Sequence, residues 1–237
     1  MIDARADHAT DARRFSWLDL VLVFAVGIGL ANSAVADFLA RGPAALGLSE
    51  MASSSIAWVL INGTQLAVGL AVVHHRFGTL VGPLRLHRPA RRQVAVGVGW
   101  GMVKAVGTLV LLVALPAALV EGGGGEGGHP AGSLLAQFAF AFVFGAVLSP
   151  LYEEILYRGV FYQGLAARMP AVAAVVLSAS FFAVAHLPRV FNTVSALLAG
   201  LLFAWLLHRY RNLWVPIVAH AVSNGSLIVL AFAAEAG

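Results

Sequence analysis

The chain has 237 residues, 60% of them hydrophobic and only 11% charged, with a mean hydropathy of +0.86. Soluble domains carry about 25% charged residues, so this composition argues against a soluble globular fold and for an integral membrane protein. A net charge of +4 would suggest nucleic acid in a soluble protein, but here the arginines border apolar segments and follow topology; the absence of cysteine excludes disulfides, thiol nucleophiles and cysteine-bound metals.

Residues 1–16 are polar, with Arg5, Arg13 and Arg14 balanced by aspartates. The apolar run after Trp17 is too long for the ~7–15-residue core of a cleavable signal, so it reads as a first span. Apolar segments then recur near the ~20 residues that a helix needs to cross hydrocarbon. They are expected at 17–40, 52–76, 93–120, 132–150 (continuing into the polar stretch that follows), 171–187, 190–209 and 213–234. The prediction is an all-α, multi-pass bundle of about seven membrane helices, within a range of six to eight. Its helices over 1–131 and those over 132–237 are expected to form one membrane domain.

If seven spans alternate, the N-terminal arginines fall on one side with Arg76, Arg85, Arg88, Arg91, Arg92, Arg168, Arg209 and Arg211. Only Arg41 and Arg189 fall on the other. The positive-inside rule then predicts a cytoplasmic N-terminus and an extracytoplasmic C-terminus in a cell membrane. The segment from Arg85 to Arg92 reads as a basic loop or short surface helix against anionic lipid. The glycine-rich run from Glu121 to Pro130 lacks the ending of a phosphate-binding loop and reads as a flexible linker. Lys104, the single lysine, falls near the middle of the third span, where it either counters a carboxylate or snorkels along the bundle. Asn62, Gln65, Asn192 and Ser195 read as interhelical hydrogen-bonding groups, and His74, His75 and His208 as interfacial.

The stretch from Leu151 to Gln163, LYEEILYRGVFYQ, follows a run from Leu134 to Leu148 without a single charge. Ionisable groups at membrane depth cost about 2.5–3.5 kcal/mol each on insertion scales, so they are seldom present without a role. Glu154 and Arg158 share a helix face and can pair, while Glu153 points about 100° away. One carboxylate can be held while its neighbour stays available for proton transfer. Phe182 with His186, and His220 with Asn224, repeat the i, i+4 spacing on later apolar helices. Glu154 lies sixteen residues before Pro170 and His186 sixteen after it, so a turn there would set both about 24 Å away and level with each other. This requires the fourth helix to run on past Pro150, kinked or not, through Arg168.

EEILYR (Glu153, Glu154, Arg158), FAVAH (Phe182, His186) and HAVSN (His220, Asn224) resemble, in order, the EExxxR, FxxxH and HxxxN motifs of the CPBP family. That family comprises the CAAX prenyl proteases and the bacteriocin-processing, Abi-like enzymes, and the resemblance spans about 132–230. It implies an intramembrane endopeptidase acting on a membrane-associated or lipidated peptide substrate. Glu153 would be the general base on water, a role suited to a desolvated carboxylate beside a like charge. His186 would help position that water, and Arg158 would hold Glu154. His220 and Asn224 would donate to the oxyanion. Tyr157 and Phe182 would wall the substrate site, although plain packing also accounts for Tyr157, Phe161 and Tyr162. No cofactor is favoured; zinc on Glu153, His186 and His220 is the alternative.

Two other functions fit the residues themselves: a catalytically idle binding or immunity protein of the same fold, and a cation-coupled transporter relaying through Glu153, Glu154 and Lys104. The expected partners are membrane lipids and a peptide or protein substrate, with no nucleic acid. Alanine-, glycine- and arginine-rich usage points to a bacterial source.

Overall fold

The computed structural model describes residues 15–31, 42, 43, 45–116, 119 and 130–236. Among them seven main helices follow in order: α1 Trp17–Ala31, α2 Glu50–Phe77, α3 Arg91–Ala114, α4 Leu134–Ala166, α5 Ala171–Val184, α6 Val190–Tyr210 and α7 Trp214–Ala236, with no strand. Five of them, α2, α3, α4, α6 and α7, are long and apolar enough to cross a membrane. The fold is therefore the all-α bundle that composition and periodicity predict. The glycine-rich run from 121 to 129, Arg41 and the N-terminal arginines lie outside the described residues.

Local chemistry sets the helix ends. Ser49 and Ser133 cap α2 and α4, each accepting from the backbone N–H three residues on at 3.3 Å. Gly78 ends α2 at φ 74°, a left-handed conformation that glycine adopts without penalty. α4 is the exception to regularity, because Ala141–Leu148 and Glu154–Tyr162 are π-helical and flank an α-helical Ser149–Glu153. Proline inside an α-helix lacks its N–H and collides with the carbonyl four residues back. The wide turn before Pro150 gives that carbonyl room, so the helix continues to Ala166 without stopping.

α5 departs from expectation. It is 14 residues long, about 21 Å, short of the ~30 Å hydrocarbon core. Pro188 biases the residue before it away from helical backbone, and 185–188 turn instead of extending the helix.

One end of the bundle gathers the basic residues. Arg168 donates to Phe15 O, Gln163 to Pro83 O at 2.7 Å, and the Leu213 N–H to Arg85 O at 3.0 Å. The buried Asn212 donates to His87 O at 3.1 Å. The basic segment is thus stitched to the α6–α7 turn, which a surface-loop reading does not capture. Ala131 N–H donates to Glu50 at the opposite end.

Close backbone approach fixes the helices that matter for the site. A Cβ on Gly101 of α3 would meet Ala219 O of α7 at 2.6 Å, and one on Gly200 of α6 would meet Ala179 Cα of α5 at 2.8 Å. Glycine permits both contacts, and the first sets the depth of His220 on α7.

Candidate active site

Glu154 and Arg158 are fully buried on α4, with Arg158 Nη1 donating to Glu154 Oε1 at 3.0 Å. The same oxygen takes His220 Nδ1 from α7 at 2.9 Å. A carboxylate held by an arginine accepts, so the imidazole places its proton on Nδ1 and turns Nε2 the other way. Nε2 faces Glu153 Oε2 at 3.8 Å. That separation is too long for a hydrogen bond and suits a bridging water. The two adjacent glutamates therefore differ: one is clamped from two sides, while its neighbour, 13% exposed, has no such clamp.

Aromatic rings enclose the cluster. The Arg158 guanidinium lies over Phe182 at 4.3 Å and Phe203 at 5.4 Å, and Phe203 stacks on the His220 ring at 4.7 Å. Among the described residues Arg158 Nε and Nη2 and Glu154 Oε2 have no hydrogen-bond partner. Desolvating a cation costs several kcal/mol, of which a buried aromatic face returns about 2 or more. Ordered water on the remaining polar atoms would offset more of it.

His186 sits in the turn after α5. Its Nδ1 is 2.8 Å from Phe182 O, and because a carbonyl only accepts, the proton is on Nδ1 and Nε2 carries the lone pair. Its ring meets Phe182 at 4.8 Å, and Phe182 meets His220 at 6.1 Å and Tyr157 at 5.0 Å. Phe182 is thus a wedge touched by Tyr157, Arg158, His186 and His220. The Tyr157 carbonyl accepts from Ser178 at 3.1 Å, tying α4 to α5. Asn224 donates to Gly145 O at 3.0 Å, within the first π-helical stretch. One of its two amide protons is thereby spent on holding α7 to α4.

The structure thus brings Glu153, Glu154, Arg158, Phe182 and His220 together, sets His186 against Phe182, and engages Asn224 with backbone. Phe203 and Ser178 join the site without any sequence signal, being ordinary residues of apolar helices. Asn62, read as an interhelical group, donates instead to Trp58 O of its own helix at 3.0 Å. His208 is exposed but reaches the buried Tyr162 hydroxyl at 3.1 Å. Among the described residues no three His, Cys, Asp or Glu side chains form a group that could hold a metal ion, the trio Glu153, His186 and His220 included.

No curated protein and no solved structure matches the chain. Residues 135–226 match the family model described as Type II CAAX prenyl endopeptidase Rce1-like, and this stretch holds all three motifs. From α4 into α7 the chain is thus similar to the Rce1-like domain of the type II CAAX prenyl endopeptidases, a match consistent with the CPBP family.

Proposed function

We propose that the protein is an intramembrane endopeptidase that hydrolyses a peptide bond of a membrane-associated or lipidated substrate, with Glu153 as the general base. The observation that carries this reading is the asymmetry of the paired carboxylates: Glu154 is bound by Arg158 and His220, while Glu153 faces His220 Nε2 across 3.8 Å. A water in that gap would donate one hydrogen to Glu153 and the other to His220 Nε2, turning a lone pair towards the scissile carbonyl. Glu153 takes the proton as the C–O bond forms, then delivers it to the leaving amine as the C–N bond breaks.

His220 with its proton on Nδ1 is an acceptor at Nε2, so it serves the water better than the oxyanion. Asn224 keeps one amide proton for the oxyanion, a kind of donor whose loss commonly costs ~10²–10³ in rate. His186 Nε2 is a second acceptor for the water. The reaction needs no metal in this scheme. The basic end of the bundle would face the cytoplasm of a bacterial cell, with the C-terminus outside.

The test is cleavage by purified protein in liposomes of a peptide pool with and without C-terminal lipid. Glu153→Gln is expected to lose activity while keeping its thermal transition, and a strong chelator is expected to leave the wild type active. Equal cleavage by wild type and Glu153→Gln would remove Glu153 from the mechanism. Loss on chelation with recovery on added zinc would replace the metal-free scheme.

A further inference from the structure

The basic end of the bundle is more ordered than membrane topology requires. Where α2, α3, α6 and α7 pass out of their apolar stretches, Arg88, Arg91, Arg92, Arg209 and Arg211 are exposed. Among the described residues none of these five has an ion pair. The described carboxylates are all engaged or elsewhere. Asp19 is held by Arg76, Glu153 and Glu154 lie in the candidate active site, and Glu50 and Glu235 sit at the opposite end.

Hydrogen bonds gather these arginines from two segments more than a hundred residues apart. The buried Asn212 donates to His87 O at 3.1 Å and to Gln93 Oε1 at 3.4 Å, which brings the backbone of Arg211 near that of Arg88. Gln93 Nε2 donates to Tyr210 O at 3.4 Å, drawing the first turn of α3, with Arg91 and Arg92, to the end of α6 that carries Arg209. Two non-glycine residues have positive φ among the described residues, Arg85 at 54° and Arg211 at 51°, and the Leu213 N–H joins their segments at Arg85 O. Arginine at both positions, where glycine would be free of strain, is the kind of local cost that function offsets. Cations without carboxylates at headgroup depth are complementary to lipid phosphate, which a guanidinium binds through paired N–H donors.

The same platform rests on the helix that carries the paired glutamates. A Cβ on Gly159 would meet Leu84 Cδ2 at 2.7 Å and Leu213 Cδ2 at 3.3 Å. Both leucines are fully buried, and they lie directly on the π-helical stretch Glu154–Tyr162 beside Arg158. Leu84 precedes Arg85 and Leu213 follows Asn212, so whatever fixes the platform also fixes this face of α4.

We propose that the arginine platform binds the headgroup phosphates of anionic phospholipids, and that occupancy steadies the Glu154–Tyr162 stretch through Leu84 and Leu213. Neither part needs peptidase activity, so both are tested apart from cleavage. Detergent-solubilised protein is titrated with phosphatidylglycerol and with phosphatidylcholine, and bound lipid is counted by native mass spectrometry. Phosphatidylglycerol is expected to bind about tenfold or more tighter, as suits several arginines at the membrane surface. Arg88→Gln/Arg211→Gln is expected to remove most of that preference, and Arg189→Gln, at the opposite end, to keep it. Backbone hydrogen exchange over 154–162 is then compared between phosphatidylcholine nanodiscs with and without phosphatidylglycerol. Exchange is expected to slow severalfold with the anionic lipid, and not to slow in the arginine double variant. Leu84→Ala is expected to keep the lipid preference and lose the slowing. If Leu84→Ala does not fold, the arginine pair alone carries both readouts.

Equal binding of the two lipids would overturn the proposal, as would a preference that survives Arg88→Gln/Arg211→Gln or one that Arg189→Gln removes equally. Unchanged exchange on binding of phosphatidylglycerol would refute the transmission to α4. Soluble glycerol 3-phosphate that displaces the lipid at equal concentration would assign the platform to free phosphate and refute the lipid.

Discussion

α2 and α6 are both apolar enough to cross a membrane, yet they bury different shares of themselves. In their most apolar 18-residue stretches, 22% of α2 and 44% of α6 is buried, and α3 and α7 divide the same way at 22% and 33%. The charged groups follow local crowding and not the average of a whole helix: α4 is only 17% buried in its most apolar stretch, yet it buries eight of the nine residues of Glu154–Tyr162. α2 buries only Ser53 and Gln65 among polar residues, and α3 none, whereas α4, α5 and α7 bury Glu154, Arg158, Ser178, His220 and Ser223. A charge in hydrocarbon is tolerated only where neighbouring helices supply partners, so the densely packed half can hold chemistry and the lipid-facing half can frame it.

The largest expected effect is in the clamp. Arg158→Met strands the Glu154 carboxylate and is expected to cost about 3–5 kcal/mol in thermal unfolding in detergent. The double variant Arg158→Met/Glu154→Gln should recover part of it. A single-variant loss below about 1 kcal/mol would mean that the buried pair does not organise this half. Glu153→Gln should instead spare stability and lower the cleavage rate ~10²–10⁴-fold, separating chemistry from scaffold within two adjacent residues.

The framing half is tested through α3. Gly101→Val drives a side chain into Ala219 O and is expected to cost about 1–3 kcal/mol and to lower activity by displacing His220. Gly99→Val on the same helix, where a Cβ meets nothing within 4 Å, should do neither. Equal effects of the two would show that α3 acts by helix propensity and not by seating α7. The smallest effect is expected at Arg76, which pairs with Asp19 at 2.9 Å while 36% exposed. Arg76→Gln should cost no more than about 1 kcal/mol and leave cleavage intact. A loss as large as that of Arg158→Met would erase the distinction between the halves.

Helix number and order were legible because hydrocarbon requires ~20 apolar residues per crossing, a pattern local to each span. Exceptions have local causes too: α5 stops short at the turn before Pro188, and α4 survives Pro150 through π-helical turns, which no periodicity announces. The Glu154–Arg158 pair was legible because helical spacing fixes which residues share a face. The basic segment was not legible as part of the core contacts, because its partners Asn212 and Leu213 lie more than a hundred residues away in sequence.

The sequence by itself determined an α-helical membrane bundle and the ordered motifs that carry the family resemblance. Only the tertiary structure decided which glutamate is clamped and which is left facing a histidine nitrogen. It also turned Asn224 towards Gly145, laid Phe203 against His220, and stitched the basic segment to the α6–α7 turn. The physical reason is range: helix formation and hydrophobic length act along the chain, whereas a buried charge is settled by whichever side chains the packing brings within about 3–5 Å.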